Sequence, residues 1–197
     1  MVERVINDIC DFLSVKVLPK VTVKQPSETQ QDGTYDYTEV HPSVFPFYIP
    51  PARDFNDEKI PAPCVCVAPV KETFNLTGMA AVDVRLELIV WNAGVYGDEL
   101  RTPVDDNEYV RPAKHSSDQS FDLYRLSYQD VWIFAEKVKR GLLTELDAAG
   151  YELDAQKGIV TEPPKTAMPE LFPYFTATMT FTVKVPTVSG QGLHDLL

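Results

Sequence analysis

Two stretches of the chain alternate between apolar and polar residues, and this alternation constrains the fold more than any other feature. In the first stretch Asp83, Arg85 and Glu87 are separated by aliphatic residues, and in residues 174–185 threonines alternate with apolar side chains. A period of two places alternate side chains on opposite faces of a strand. We therefore expect strands at 80–92 and 174–185, each with one buried and one polar face, as is typical of an antiparallel sheet. The side chains expected on the buried faces are Val82, Val84, Leu86, Leu88, Val90, Phe175, Ala177, Met179, Phe181, Val183 and Val185.

Two other segments have the three- and four-residue spacing of amphipathic helices. The first covers about residues 2–14, and Pro19 follows it. The second opens at Ser127, which forms a partial capping box with Asp130, and it stops at Gly150, a residue suited to a left-handed helix end. The apolar stripe of this main helix consists of Val131, Ala135, Val138, Leu142 and Leu146.

Shorter apolar segments predict the remaining strands. One covers 64–70, another covers 21–23, and a short strand pair within 151–160 turns at Lys157 and Gly158. Strands that surround two helices, without a repeated strand–helix–strand order, predict an α+β fold. We expect an antiparallel β-sheet with two main helices packed on one face, plus an irregular Pro-rich extension.

The chain length fits a single α+β domain over residues 1–187, followed by a flexible tail at 188–197. Residues 25–63 are rich in proline, which removes backbone donors from a ladder, and they predict an arm or insertion. Residues 93–126 are polar and of mixed charge, and they predict a long loop.

The charge balance bears on possible partners. Asp and Glu total 29 against 18 for Lys and Arg, so the net charge is −11. Such a surface repels phosphates, because tight nucleic-acid binding depends on Lys and Arg releasing counterions. We therefore expect DNA only in passage, without specific nucleic-acid binding. No stretch has the roughly 20 apolar residues of a membrane span, and the N-terminal residues do not resemble a signal peptide, so we expect no membrane partner.

Few residues stand in patterns that carry chemistry. Cys64 and Cys66 fall on one face of a strand at a spacing narrower than most zinc sites use, so burial as small apolar side chains is the better interpretation. Asp105, Asp106 and Glu108 lie in a polar segment, which does not hold carboxylates rigidly as acid–base catalysis requires. We expect no catalytic residues, no metal and no cofactor, and hence no enzyme.

Five aromatic residues, three in the Pro-rich segment and two near the start of the long polar loop, are the candidates for a subunit or partner interface. They are Phe45, Phe47, Tyr48, Trp91 and Tyr96. The aromatic side chains of the Pro-rich segment either pack on their own domain, which is the more usual outcome, or form an arm that docks on a neighbouring subunit. Both interpretations remain open from the sequence.

The order of elements in the C-terminal third resembles one known family. A tyrosine and an aspartate at 128–130 open a helix that runs to Arg-Gly-Leu-Leu at 140–143. The expected strand pair at 151–160 follows, then a proline–aromatic step at 172–175, then an alternating strand closed by Pro186. This order is similar to that of the tail terminator (tail-completion) proteins of long-tailed bacteriophages.

The resemblance implies a structural virion assembly protein that forms a homo-oligomeric ring, a hexamer, on the finished tail tube and joins it to the head connector. Its partners would be further copies of itself, the tail-tube protein and the head connector protein. It would be found in the host cytoplasm during assembly and then in the neck of the virion tail. The alternatives are another head–tail joining or minor tail protein and, more remotely, a small soluble enzyme that uses the 93–120 loop.

Overall fold

A computed structural model of the chain describes residues 1–26, 37–49, 61–74, 79–91, 119–162 and 174–186. Within these ranges the fold is a mixed α+β arrangement in which a sheet predominates and two α-helices accompany it. The predicted tail at 188–197 and residues 93–118 of the predicted loop lie outside the described ranges.

Two long strands form the middle of the main sheet, as the alternation predicts. Strand β5 (Met79–Trp91) pairs antiparallel with β8 (Tyr174–Pro186) along the full length of both. The aliphatic residues at alternate positions of β5 are fully buried, and the corresponding face of β8 is buried along most of its length. The predicted strand faces are therefore confirmed.

Strand β4 (Cys64–Phe74) pairs antiparallel with β5 and is longer than the predicted 64–70. Its register shifts between Pro69 and Lys71, so Val70 is an extra residue on the strand and is 57% exposed. Because proline has no backbone N–H, a bulge at this point lets the strand continue beyond a position that cannot donate to the ladder.

Strand β3 (Ser43–Pro46) pairs in parallel with β4, so the prediction of a purely antiparallel sheet is wrong at this edge. A parallel neighbour needs a connection of a dozen or more residues, and the chain between Pro46 and Cys64 is long enough to provide one. β1 (Val23–Pro26) and β2 (Tyr37–Val40) form a separate antiparallel pair. The described parts of the Pro-rich segment therefore include regular strands, while residues 27–36 and 50–60 lie outside the described ranges.

Two short strands cover the other edge of β8. β6 (Glu152–Leu153) and β7 (Ile159–Glu162) each pair with β8, and no pairing between them is found. The two predicted strands are confirmed, but their predicted pairing is wrong. The turn between them brings Lys157 and Gly158 N–H groups onto the Asp154 carbonyl at 3.1 and 3.0 Å.

Helix α1 (Val2–Phe12) continues as a π-helical turn (Leu13–Val17) and a 3₁₀ turn (Leu18–Lys20). Pro19 therefore lies within the helical turns and not after them. At the start of a 3₁₀ turn the backbone N–H that proline lacks is not needed for a helical hydrogen bond. The apolar stripe predicted for this helix is largely buried.

Helix α2 (Gln119–Glu145) begins eight residues before Ser127, so the predicted capping box is wrong and the predicted loop ends earlier. No proline or glycine interrupts residues 113–140, so nothing in the backbone stops the helix at Ser127. The predicted stop is confirmed, because a 3₁₀ turn (Leu146–Ala149) leads to Gly150 with a φ of 83°.

The main core lies between the sheet and both helices, which share one face of it. Its helical side includes the whole predicted stripe of α2, together with Phe134. A smaller cluster on the opposite face consists of Ala62, Cys64, Ile89 and Trp91, and the half-buried Phe45, Ile49 and Tyr174 pack against it. No helix among the described residues is long and apolar enough to cross a membrane.

Candidate functional site: the β3 edge

The predicted interface residues fall into three groups. Phe47 and Tyr48 follow β3 and are 41% and 67% exposed. Phe45 is half-buried within β3, and Trp91 is only 3% exposed, in the small cluster beneath it. Tyr96 lies outside the described residues. The structure therefore places Phe45, Phe47 and Tyr48 along one edge of the main sheet, with Trp91 as a buried support.

The backbone of β3 offers little to a further strand. The Ser43 N–H donates to the Pro63 carbonyl at 3.1 Å and the Phe47 N–H donates to the Val67 carbonyl at 2.7 Å. The odd-numbered residues of this strand therefore direct their backbone N–H groups towards β4. In a parallel ladder the even-numbered residues then face away from β4. Pro46 is one of them and has no N–H to donate, and Pro42, which directly precedes the strand, has none either. Prolines at these positions protect an edge against strand addition, so contacts at this edge would be made by side chains.

The chain turns sharply where β3 ends. The Tyr48 N–H donates to the Pro46 carbonyl at 2.8 Å, and Phe47 between them has a φ of 67°. A hydrogen bond across one residue in the left-handed region is the pattern of the strained form of γ-turn, which is rare. A bulky residue in this region costs about 1–2 kcal/mol. The turn holds both aromatic side chains at the edge of the sheet, and backbone strain of this kind concentrates at functional positions.

A cavity of about 550 Å³ lies beside the strand, between β3 and the turns that follow α1. Leu18, Pro19 and Phe45 contribute apolar surface to it, and His41 lies at its rim. The His41 Nδ1 is 2.8 Å from the Val21 carbonyl, which only accepts, so Nδ1 carries the proton and donates. An exposed aromatic turn and an apolar cavity therefore occur at the same sheet edge.

Two buried cysteines lie on β4 beside β3, and one of them, Cys64, belongs to the small cluster. Burial raises the pKa of the Cys64 thiol to about 12, and burial together with the nearby Glu87 raises the pKa of Cys66. Both thiols are therefore protonated at neutral pH and contribute packing, as expected from the sequence. Among the described residues no three metal-ligating side chains gather in one place.

The sequence contains one unused signal for this site. Pro42 precedes the short strand β3 and Pro46 ends it, and prolines at both ends of a short strand indicate an edge strand. The cavity had no such signal, because Leu18 and Pro19 reach it only through the helical turns that extend α1.

Comparisons of the chain with models of known protein families, with curated proteins and with solved structures found no match.

Proposed function

We propose that this chain is a structural assembly subunit, a tail terminator of a long-tailed bacteriophage, that forms a homo-oligomeric ring of six copies. The ring would cap the tail tube and offer its other side to the head connector. The proposal rests on the order of elements in the sequence and on the β3 edge, which presents aromatic side chains where a neighbouring subunit can cover them.

The exposure of Tyr48 is the observation that carries the proposal. A tyrosine that is 67% exposed at the end of a strained turn contributes little to the stability of its own subunit. Aromatic residues are enriched at the energetic centres of interfaces, because they bring a large apolar area with few rotatable bonds. The conformation of this turn costs free energy in the isolated chain, and covering the turn with a neighbour would offset that cost.

Ring closure places a further condition on the contact. A ring needs one patch to meet a different patch on the next subunit. The β3 edge supplies one patch, and its proline-protected backbone favours a side-chain contact over open-ended strand addition. The net charge of −11 suits a ring through which DNA passes without adhering.

Alanine substitutions separate assembly from folding at this edge. We expect Tyr48→Ala to weaken self-association by about 2 kcal/mol, roughly 30-fold in Kd, and to change the stability of the subunit by less than about 0.5 kcal/mol. Sedimentation velocity over a concentration series measures the first quantity, and urea unfolding measures the second. Phe45→Ala should do the reverse and mainly destabilise the subunit, because Phe45 packs on the small cluster.

Phe74→Ala is the matched control. Phe74 is 63% exposed on the same sheet, at the end of β4 away from β3. It should leave both self-association and stability unchanged. Equal self-association of wild type, Tyr48→Ala and Phe74→Ala would refute the role of the β3 edge, and a wild-type chain that never associates would refute the ring.

A further inference from the structure

A second surface of the chain is positively charged, although the chain as a whole is negatively charged. Helix α2 lies beside the turns that follow α1, and a groove of about 470 Å³ runs between them. Four cationic side chains line it, namely Lys16, Lys20, Lys137 and Arg140, against two carboxylates. On a chain of net charge −11 this groove concentrates positive charge.

The two carboxylates of the groove already have cationic partners. Glu145 accepts from the Lys20 Nζ at 2.5 Å, and Glu136 pairs with Lys139 on the same helix. These pairs neutralise the acidic members of the lining, so the remaining positive charge is not balanced within the groove.

Three cations stay available to a ligand. Lys16, Lys137 and Arg140 are exposed, and none of them is ion-paired within the described part of the chain. Ile133 adds an apolar wall that is 53% exposed, and the buried Val17 forms part of the floor. The groove therefore suits an acidic peptide segment that also carries an aliphatic side chain.

We propose that this groove binds the acidic segment 98–108 of a neighbouring copy, an inference that rests on the proposed homo-oligomeric function. That segment carries five carboxylates against a single cation, Arg101, and it includes Leu100 and Val104 as aliphatic residues. Its charge and composition complement the groove, and a contact of this kind steers association and selects the partner.

The proposed ring is the reason to assign the segment to a neighbouring copy rather than to the same chain. The groove and the segment are different patches, so their pairing has the heterologous character that a ring requires.

Charge reversal in the full chain tests the contact. Lys137→Glu with Arg140→Glu changes the charge of the groove lining from +2 to −2, and Asp105→Lys, Asp106→Lys and Glu108→Lys together change the charge of segment 98–108 from −4 to +2. We expect each variant to self-associate at least about tenfold more weakly than wild type in sedimentation velocity, because like charges then face each other. An equimolar mixture of the two should associate about as well as wild type, since each chain again meets an opposite charge on the other.

Recovery on mixing requires a contact between chains, so a mixture that stays as weak as its components would overturn the proposal. Lys71→Glu with Arg85→Glu, at exposed positions of β4 and β5, makes the same change in net charge as the groove reversal and should leave association unchanged. Wild-type association in the groove-reversed chain would overturn the proposal while the ring proposal stands.

A direct titration covers the case in which wild type does not associate, which would refute the ring. A fluorescein-labelled peptide of residues 96–110 is titrated with the full chain and followed by fluorescence anisotropy. Binding that weakens at least about tenfold in the groove-reversed chain, and weakens with added salt, supports the site. No binding to the wild-type chain, or tighter binding of a labelled DNA duplex in the same groove, overturns it.

Discussion

The contact between Gly141 and Val17 gives the sharpest test of how α2 packs. A Cβ placed on Gly141 would lie 2.7 Å from both Cγ atoms of Val17 and 3.2 Å from its Cβ. Carbon atoms in favourable contact are about 3.5–4.0 Å apart, so Gly141→Ala requires a displacement of close to 1 Å. Val17 is 3% exposed in a π-helical turn, and a β-branched side chain has few other rotamers to adopt.

The magnitude follows from two opposing effects. Overpacking a core costs about 1–3 kcal/mol, and the rigid, buried Val17 favours the upper end of that range. Replacing glycine by alanine inside a helix gains about 1 kcal/mol. We therefore expect Gly141→Ala to lower the free energy of unfolding by about 2 kcal/mol, measured by urea denaturation with linear extrapolation.

Val17→Ala supplies the matched partner for a double-mutant cycle. On its own it removes the two methyl groups and should destabilise the chain. In Gly141→Ala/Val17→Ala the new methyl group occupies the vacated space, so the double variant should be more stable than the sum of the single effects by about 2–3 kcal/mol. Additive effects within about 0.5 kcal/mol, or a Gly141→Ala chain more stable than wild type, would refute this packing.

Three further substitutions test local features. Asp83 accepts from Lys157 at 2.8 Å and from Thr182 at 2.5 Å, and these bonds lower the pKa of Asp83. The stabilisation from Asp83 should be fully present above the ordinary pKa of an aspartate and lost as pH falls through the lowered pKa, so acidification should narrow the stability gap between wild type and Asp83→Asn in urea unfolding. Burial and a carboxylate acceptor raise the pKa of Tyr151 to about 12. The contribution of Tyr151 to the free energy of unfolding should therefore be fully present below pH 10 and be lost between pH 10 and 12. Tyr151→Phe should remove this pH dependence when unfolding is measured over a pH series. Phe47→Gly should be more stable than Phe47→Ala by about 1 kcal/mol in urea unfolding. Both variants lose the aromatic ring, but only glycine adopts a φ of 67° without strain. Equal stabilities of the two variants would count against the strained turn.

Local pattern predicted the central elements well, because their signals are periodic. The alternation in β5 and β8 and the stripe of α2 each mark the face that packs in the main core. The start of α2 was not predictable in the same way. A capping residue stabilises a helix start by about 1 kcal/mol. This preference for a start at Ser127 is too weak to stop the helix from extending into the preceding residues, which all tolerate helical conformation.

Pairing between distant segments was the part that the sequence did not specify. The parallel contact of β3 with β4 depends on the path of the chain between them. The pairing of β6 and β7 with β8 depends on β8 having one edge that β5 does not occupy. The same limit applies to the site. The aromatic residues at 45, 47 and 48 were identifiable by type, but the division between exposed Tyr48 and half-buried Phe45 depends on the register of β3 and on the turn at Phe47.

The proposed ring of identical subunits makes a direct prediction about the mass of the assembled protein. Native mass spectrometry of the wild-type protein over a range of concentrations tests it most directly. We expect a dominant species of six times the 22.2 kDa chain mass, and its replacement by the single-chain mass in Tyr48→Ala. A wild-type spectrum that contains only the single-chain mass at every concentration would contradict the proposed ring.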